Sequence, residues 1–193
     1  MYTINMTVYL LRHEKRFPIP TYFTSLTKEG LENSTLLSEE IKRIQPDIIL
    51  CSPFLRCLQT IYPYAKKYNK KINVEYALYE FLEDPLFTQN NYKHDYSELY
   101  KEYPELEEIV NKKYQPYQTL NHITFPEHTF ETLHKRLVPF MDYIDETYKD
   151  TNSTVLLVSH GSIVSSIKHY IETGTPATKD YTFRMGEMIG IKL

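Results

Sequence analysis

The chain has 193 residues, enough to bury a core without disulfide or metal staples. Its formal net charge of −3 argues against a generally basic nucleic-acid surface, and its 41% hydrophobic and 24% charged content is that of a soluble globule. Two cysteines, Cys51 and Cys57, do not make a disulfide framework. The apolar runs are too short to span a bilayer, and the start, MYTINMTVYLLRHEK, lacks the layout of a secretion signal. A cytoplasmic protein without a membrane partner is the expectation.

In chain order, residues 7–11 (TVYLL) form a short apolar run rich in strand formers, read as a buried strand. Thr27 caps a helix predicted to run to about Gln45, with Leu37, Ile41 and Ile44 on one face before Pro46 stops it. Residues 47–51 (DIILC) are a second strand, followed by Ser52 as N-cap and Pro53 at the first helical position. Residues 72–76 alternate as a short third strand. The stretch from about 84 to 126 is rich in tyrosine and acids, with weak periodicity. It reads as an insertion over one end of the sheet or, equally, as an ordinary helix plus loop. Phe130, Leu133, Leu137, Phe140 and Ile144 mark an amphipathic helix, with a kink expected at Pro139. Residues 154–158 (TVLLV) are another strand, 162–171 a helix, and 188–193 a last strand at a sheet edge. Strands alternating with helices predict one α/β domain with a largely parallel sheet.

The residues just after each central strand carry the chemistry. Arg12 and His13 come after the first; Ser52, Pro53 and, one turn on, Arg56 come after the second; Ser159, His160 and Gly161 come after the fourth. Parallel sheets bind ligands beyond their carboxyl ends, so separate strands bring two histidines and at least two arginines to one rim. Such a cluster suits a phosphoryl group. Arginine stays charged and offers a planar fork of donors. A neutral histidine is a competent nucleophile toward phosphorus, and a second can stabilise the transferring oxygens.

Several ordered motifs resemble those of the histidine phosphatase superfamily, which includes the cofactor-dependent phosphoglycerate mutases. They are LLRHEKR (10–16), SLTKEG (25–30), CSPFLRCLQT (51–60), ALYEF (77–81) and VSHGSIV (158–164). The resemblance implies a three-layer α/β/α fold and a phosphatase acting on a phosphate monoester. His13 would be the phosphorylated nucleophile, with Arg12, Arg56 and His160 lining the phosphate pocket. Glu80 would be the acid and base, with Glu83 and Asp84 as competitors. No metal or organic cofactor is implied. Arg16, where mutases carry Thr or Ser, makes the pattern more like the phosphatase members and adds a third phosphate-binding arginine. Glu14 stands where the family has glycine, and would repel substrate unless it faces away or pairs with a base such as Lys15 or Arg16.

Two alternatives stand beside this reading. One is a mutase-type phosphotransferase; the other is a catalytically weak phospholigand-binding or scaffold protein, which Glu14 keeps open. A nucleic-acid role has only the lysines at 66, 67, 70 and 71 behind it, and these read as a solvated helix end. Cys51 and Cys57 read as buried thiols, and His94, His122, His128, His134 and His169 as surface residues. The insertion is expected to cap the pocket and select the leaving group, with a mild preference for a phosphotyrosine or small aromatic phosphate, on a small molecule or a protein.

Overall fold

The computed structural model describes residues 6–82, 87, 92–127, 129–179 and 182–193. The competing acids Glu83 and Asp84, and His128, lie outside the described residues.

Five strands form one sheet in the order β3-β2-β4-β1-β5. They are β1 (Thr7–Arg12), β2 (Ile48–Cys51), β3 (Asn73–Val74), β4 (Thr154–Ser159) and β5 (Met188–Lys192). The pairs β1–β4, β2–β4 and β2–β3 are parallel, whereas β5 runs antiparallel to β1 at the edge. Alternate side chains feed opposite faces. Leu11, Ile49, Cys51, Leu156 and Val158 enter the core beneath α1 (Lys28–Ile44) and α2 (Leu55–Lys67). Val8, Leu10, Leu50, Val155 and Leu157 enter the core beneath α3 (Phe130–Tyr148) and α4 (Gly161–Thr173). Burial on both faces explains why these strands read as continuous apolar runs. The result is the expected three-layer α/β/α arrangement.

Most local expectations hold. The Thr27 hydroxyl accepts the Gly30 N–H at 3.1 Å and starts α1. Both cysteines are free and buried, and burial pushes the Cys57 thiol up to about 12. Pro139 lies inside α3. Four expectations need correction. Ser52 does not cap a helix: α2 starts at Leu55 with Phe54 as its cap, because the Ser52 hydroxyl is committed to His160. The third strand shrinks to two residues, since Ile72 bridges to Val110 and Glu75 turns the chain into a 3-10 turn, Tyr76–Leu78. His134 is buried rather than exposed, its Nε2 accepting the Ala177 N–H at 2.8 Å. His94 is half-buried, packed against Tyr22 and Phe23.

Within 92–127 the chain forms short 3-10 segments, Tyr96–Lys101, Pro104–Glu108 and Leu120–His122. Leu99, Leu106, Ile109, Val110 and Ile123 anchor them to the α1/α2 core. A buried carboxylate, Glu75, ties this region to the end of β3 by accepting from Ala77 N, Tyr117 N, Gln118 N and the Tyr114 hydroxyl.

A second buried device fixes the segment 77–82. Arg136 on α3 forms a two-pronged pair with Glu127, both bonds being 2.8 Å. Its remaining donors go to the carbonyls of Ala77, Tyr79 and Glu80. Glu127 exchanges further bonds with the Leu82 backbone. All five guanidinium donors are used, which is the condition under which a buried ion pair is tolerable. Breaking one half should cost about 3–5 kcal/mol, because a buried charge is left without its partner. Urea unfolding of Arg136→Met should show that loss, and Arg136→Met/Glu127→Leu should recover much of it. Equal stability of Arg136→Met and the parent would refute the clamp.

Candidate active site

Strand register puts the candidate residues on one rim. Arg12 pairs with Ser159, and Cys51 with Val158, so β1, β2 and β4 end within a residue of one another. The next residues are His13, Ser52 and His160, all buried to within 1%. Backbone bonds from His13 N to Ser159 O and from Ser52 N to Val158 O, both 2.9 Å, continue the ladder past the strand ends. The rings of His13 and His160 meet edge to face, 5.3 Å apart.

Hydrogen bonding sets the tautomer of each histidine. His13 Nδ1 lies 2.7 Å from the Glu14 carbonyl, which can only accept. The proton therefore sits on Nδ1, and Nε2 carries a free lone pair. Burial, with Arg56 and His160 nearby, holds this imidazole well below its ordinary range, so it is neutral at neutral pH. His160 Nδ1 faces Glu80 Oε2 at 3.1 Å and donates to it. Its Nε2 then accepts the Ser52 hydroxyl at 2.8 Å. Burial brings His160 down to about 4 despite the upward pull of Glu80. Both histidines are thus uncharged at rest.

Positive charge comes from the arginines. Arg56 has a fully buried side chain at the second position of α2, donating to the Thr21 carbonyl at 2.8 Å and to Glu80 Oε2 at 3.1 Å. Its guanidinium also covers the Phe54 ring. Arg12 donates to the Phe183 carbonyl and lies flat on Gly161. A Cβ at Gly161 would stand 3.1 Å from the Arg12 guanidinium carbon, so the glycine after His160 makes room for that side chain. Arg16 donates to the Phe17 and Pro18 carbonyls, and burial together with the charge of Arg56 lowers its pKa. The Nε atoms of Arg12, Arg16 and Arg56 are buried and have no partner among the described residues. Backbone N–H groups at the start of α4 add to the positive field.

Glu80 is the single carboxylate bound to this cluster among the described residues. Burial alone would raise its pKa, but His160 and Arg56 outweigh that and hold it well below the usual carboxylate range. His13, Glu80 and His160 offer ligand atoms within 4.8 Å of one another, a set that could hold a metal ion by donor type. The adjacent guanidiniums oppose a cation and favour an anion.

Glu14 does not enter the pocket. Its carboxylate accepts from Lys15 N at 3.2 Å and from Asn33 on α1 at 3.5 Å. It packs against Gly186, where an added Cβ would fall 2.0 Å from Oε1. Neither Lys15 nor Arg16 pairs with it; Lys15 bonds Glu29 instead. The anticipated repulsion is avoided by direction rather than by a counter-ion.

Three contributors escaped the reading of the sequence. Ser52 orients His160, although Ser-Pro normally signals a cap. Thr60 accepts the Glu14 N–H and donates to the Arg56 carbonyl, joining the two motifs. Arg136 fixes the backbone of Glu80. Its signal was available: position 136 falls three after Leu133 and four before Phe140, a charge on the apolar stripe of its helix.

Solved structures share this fold at low sequence identity. An ecdysone phosphate phosphatase from Bombix mori, complexed with tungstate, is 17% identical with a TM-score of 0.68, covering 96% of this chain and 88% of its own. A mycobacterial glucosyl-3-phosphoglycerate phosphatase complexed with VO3 is 13% identical with a TM-score of 0.64, covering 95% and 91%. A phosphoserine phosphatase variant from Entamoeba histolytica, complexed with phosphoserine, is 17% identical with a TM-score of 0.61, covering 96% and 89%. These likenesses establish the fold. No curated protein sequence matches the chain. The family model for the histidine phosphatase superfamily (branch 1) matches residues 11–189, from the end of β1 to the start of β5, and the chain belongs to that superfamily.

Proposed function

We propose that the protein hydrolyses phosphate monoesters through a phosphohistidine formed on His13. The observation that carries this reading is the Nδ1–H bond from His13 to the Glu14 carbonyl, which leaves Nε2 unprotonated among three arginines. Nε2 attacks phosphorus, the P–O bond to the leaving group breaks, and an in-line displacement forms the N–P bond. Arg12, Arg16 and Arg56 bind the equatorial oxygens, their buried Nε atoms supplying donors that await an acceptor. His160, held by Ser52, stabilises the same charge.

Glu80 is the proposed proton donor to the leaving oxygen and then the base that takes a proton from water, whose oxygen attacks phosphorus as the N–P bond breaks, releasing inorganic phosphate and restoring His13. At rest it is ionised and bound to Arg56, a poor state for an acid. An incoming phosphate competes for Arg56 and adds negative charge beside the carboxylate, and both effects raise its pKa. Substrate binding thereby arms the acid. The orientation of Glu14 away from the pocket disfavours a binding-only role. The insertion at about 84–126 is proposed as a cap over this end of the sheet; Tyr92, within it, receives the Tyr79 hydroxyl bond one residue before Glu80. No helix among the described residues is long and apolar enough to cross a membrane.

Phosphate release from a panel of monoesters with EDTA present should persist in the parent and vanish in His13→Ala. Retention of turnover by a folded His13→Ala protein would refute the route. Arg56→Ala should lower kcat by about 10²–10³-fold, the scale for a lost charge-stabilising donor. Glu80→Gln should slow alkyl esters much more than p-nitrophenyl phosphate, whose leaving group needs little protonation; equal slowing of both would reject Glu80 as the acid. In nitrogen-15 NMR, His13 should remain in the neutral Nδ1–H form as pH falls through 6.5, the ordinary histidine midpoint, because its folded pKa is lowered. A titration centred near 6.5 would contradict the lowered pKa, and nitrogen shifts of the Nε2–H form would contradict the tautomer assignment.

A further inference from the structure

The loop after the Arg-His motif is closed at its base by an antiparallel bridge between Arg16 and Leu26 and by Phe17 N to Ser25 O at 3.2 Å. Gln59 on α2 fastens that base, its Oε1 accepting Leu26 N at 2.8 Å and the Ser25 hydroxyl at 3.0 Å. Carbonyls of this loop cover two pocket arginines: Phe17 and Pro18 take Arg16, and Thr21 takes Arg56. The loop is therefore part of the wall of the phosphate site.

Its outward composition is unusual for a surface. Residues 17–24 read FPIPTYFT, with no charged side chain. Phe17 is 55% exposed, Ile19 75% and Phe23 38%. A further exposed apolar residue, Met185 at 41%, sits in the turn that closes the other side of β1, where Gly186 N bonds the Arg12 carbonyl. Four of the eight exposed large apolar side chains among the described residues thus lie on two segments whose carbonyls or amides bond Arg12, Arg16 and Arg56. Pro18 and Pro20 restrict the loop, and the Thr24 hydroxyl bonds both the Thr21 N–H and the Ile19 carbonyl at 2.7 Å. Apolar side chains are presented on a stiff, pre-ordered frame, which reduces the entropy lost on contact with a ligand. Phe23 is also braced by His94, ring centroids 4.6 Å apart.

We infer that this loop binds the leaving group and that the natural substrate is a phosphomonoester of an apolar alcohol or phenol. The inference rests on the phosphohydrolase reading of the pocket and adds the class of the group that leaves. A polyhydroxylated or multiply charged leaving group finds no ionic partner on residues 17–24, whereas a hydrocarbon surface covers Ile19, Phe17 and Phe23 and is itself covered.

Leaving-group acidity must be held constant in the test. Ethyl, butyl and hexyl phosphate differ in apolar length but hardly in the pKa of the departing alcohol. For the parent, kcat/KM should rise about tenfold or more from ethyl to hexyl, as four further methylenes are partly removed from water. Ile19→Ser/Phe23→Ser should flatten that rise. Glycerol phosphate should be turned over no faster than ethyl phosphate. A flat series in an active parent overturns the inference and leaves the phosphatase reading intact. No turnover of any ester defeats that reading instead. A flat series accompanied by co-sedimentation with phosphatidylcholine vesicles, lost in the double variant, would reassign the loop to a lipid surface and likewise overturn the inference.

Discussion

Everything at the rim depends on placing the Arg56 guanidinium in the interior, out of reach of bulk solvent. A buried cation is untenable without matched acceptors, and the protein supplies two, the Thr21 carbonyl and the Glu80 carboxylate. Those acceptors come from the loop after β1 and the segment after β3. One side chain on α2 therefore draws together parts of the chain that are far apart in sequence. Arg136 repeats the device from the helix layer on the other face of the sheet, gripping the backbone that carries Glu80. Glu80 is held from both ends by guanidiniums, one on its carboxylate and one on its carbonyl.

The electrostatics of the resting site are a product of that packing. Two histidines are neutral because burial beside arginines penalises a further positive charge. One carboxylate remains ionised because its contact with His160 and the charge of Arg56 favour it. The site thus rests with a lone pair exposed on one imidazole and its positive charge only partly matched. Such a field favours an anion, and the Nε atoms of Arg12, Arg16 and Arg56 are without a partner among the described residues.

Much of this was legible because it depends on local rules. Strands buried on both faces announce themselves as apolar runs, and residues at their carboxyl ends converge by topology alone. Arg12, His13, Arg56 and His160 could therefore be brought to one rim from spacing. Roles that depend on side-chain direction could not. Ser52 looked like a cap because Ser-Pro has the chemistry of one, yet its hydroxyl is drawn to a ring nitrogen supplied by the end of β4. His134 looked like a surface residue because a lone histidine carries no pattern. The region 92–127 lacked periodicity because its short 3-10 segments are held by scattered anchors rather than by a continuous stripe. Glu14 was ambiguous for the same reason: its sign was plain and its direction was not.

Gly186 has φ of 74°, and the Glu14 carboxylate occupies the volume that a side chain there would need. The two positions lie on segments at opposite ends of the chain, yet they share one space. A side chain at position 186 meets two obstacles of different kinds: the end of a flexible carboxylate, which can swing aside, and a left-handed backbone, which cannot. Position 186 is therefore held to glycine first by its own turn, and the acid beside His13 adds a lesser, adjustable constraint from 172 positions away.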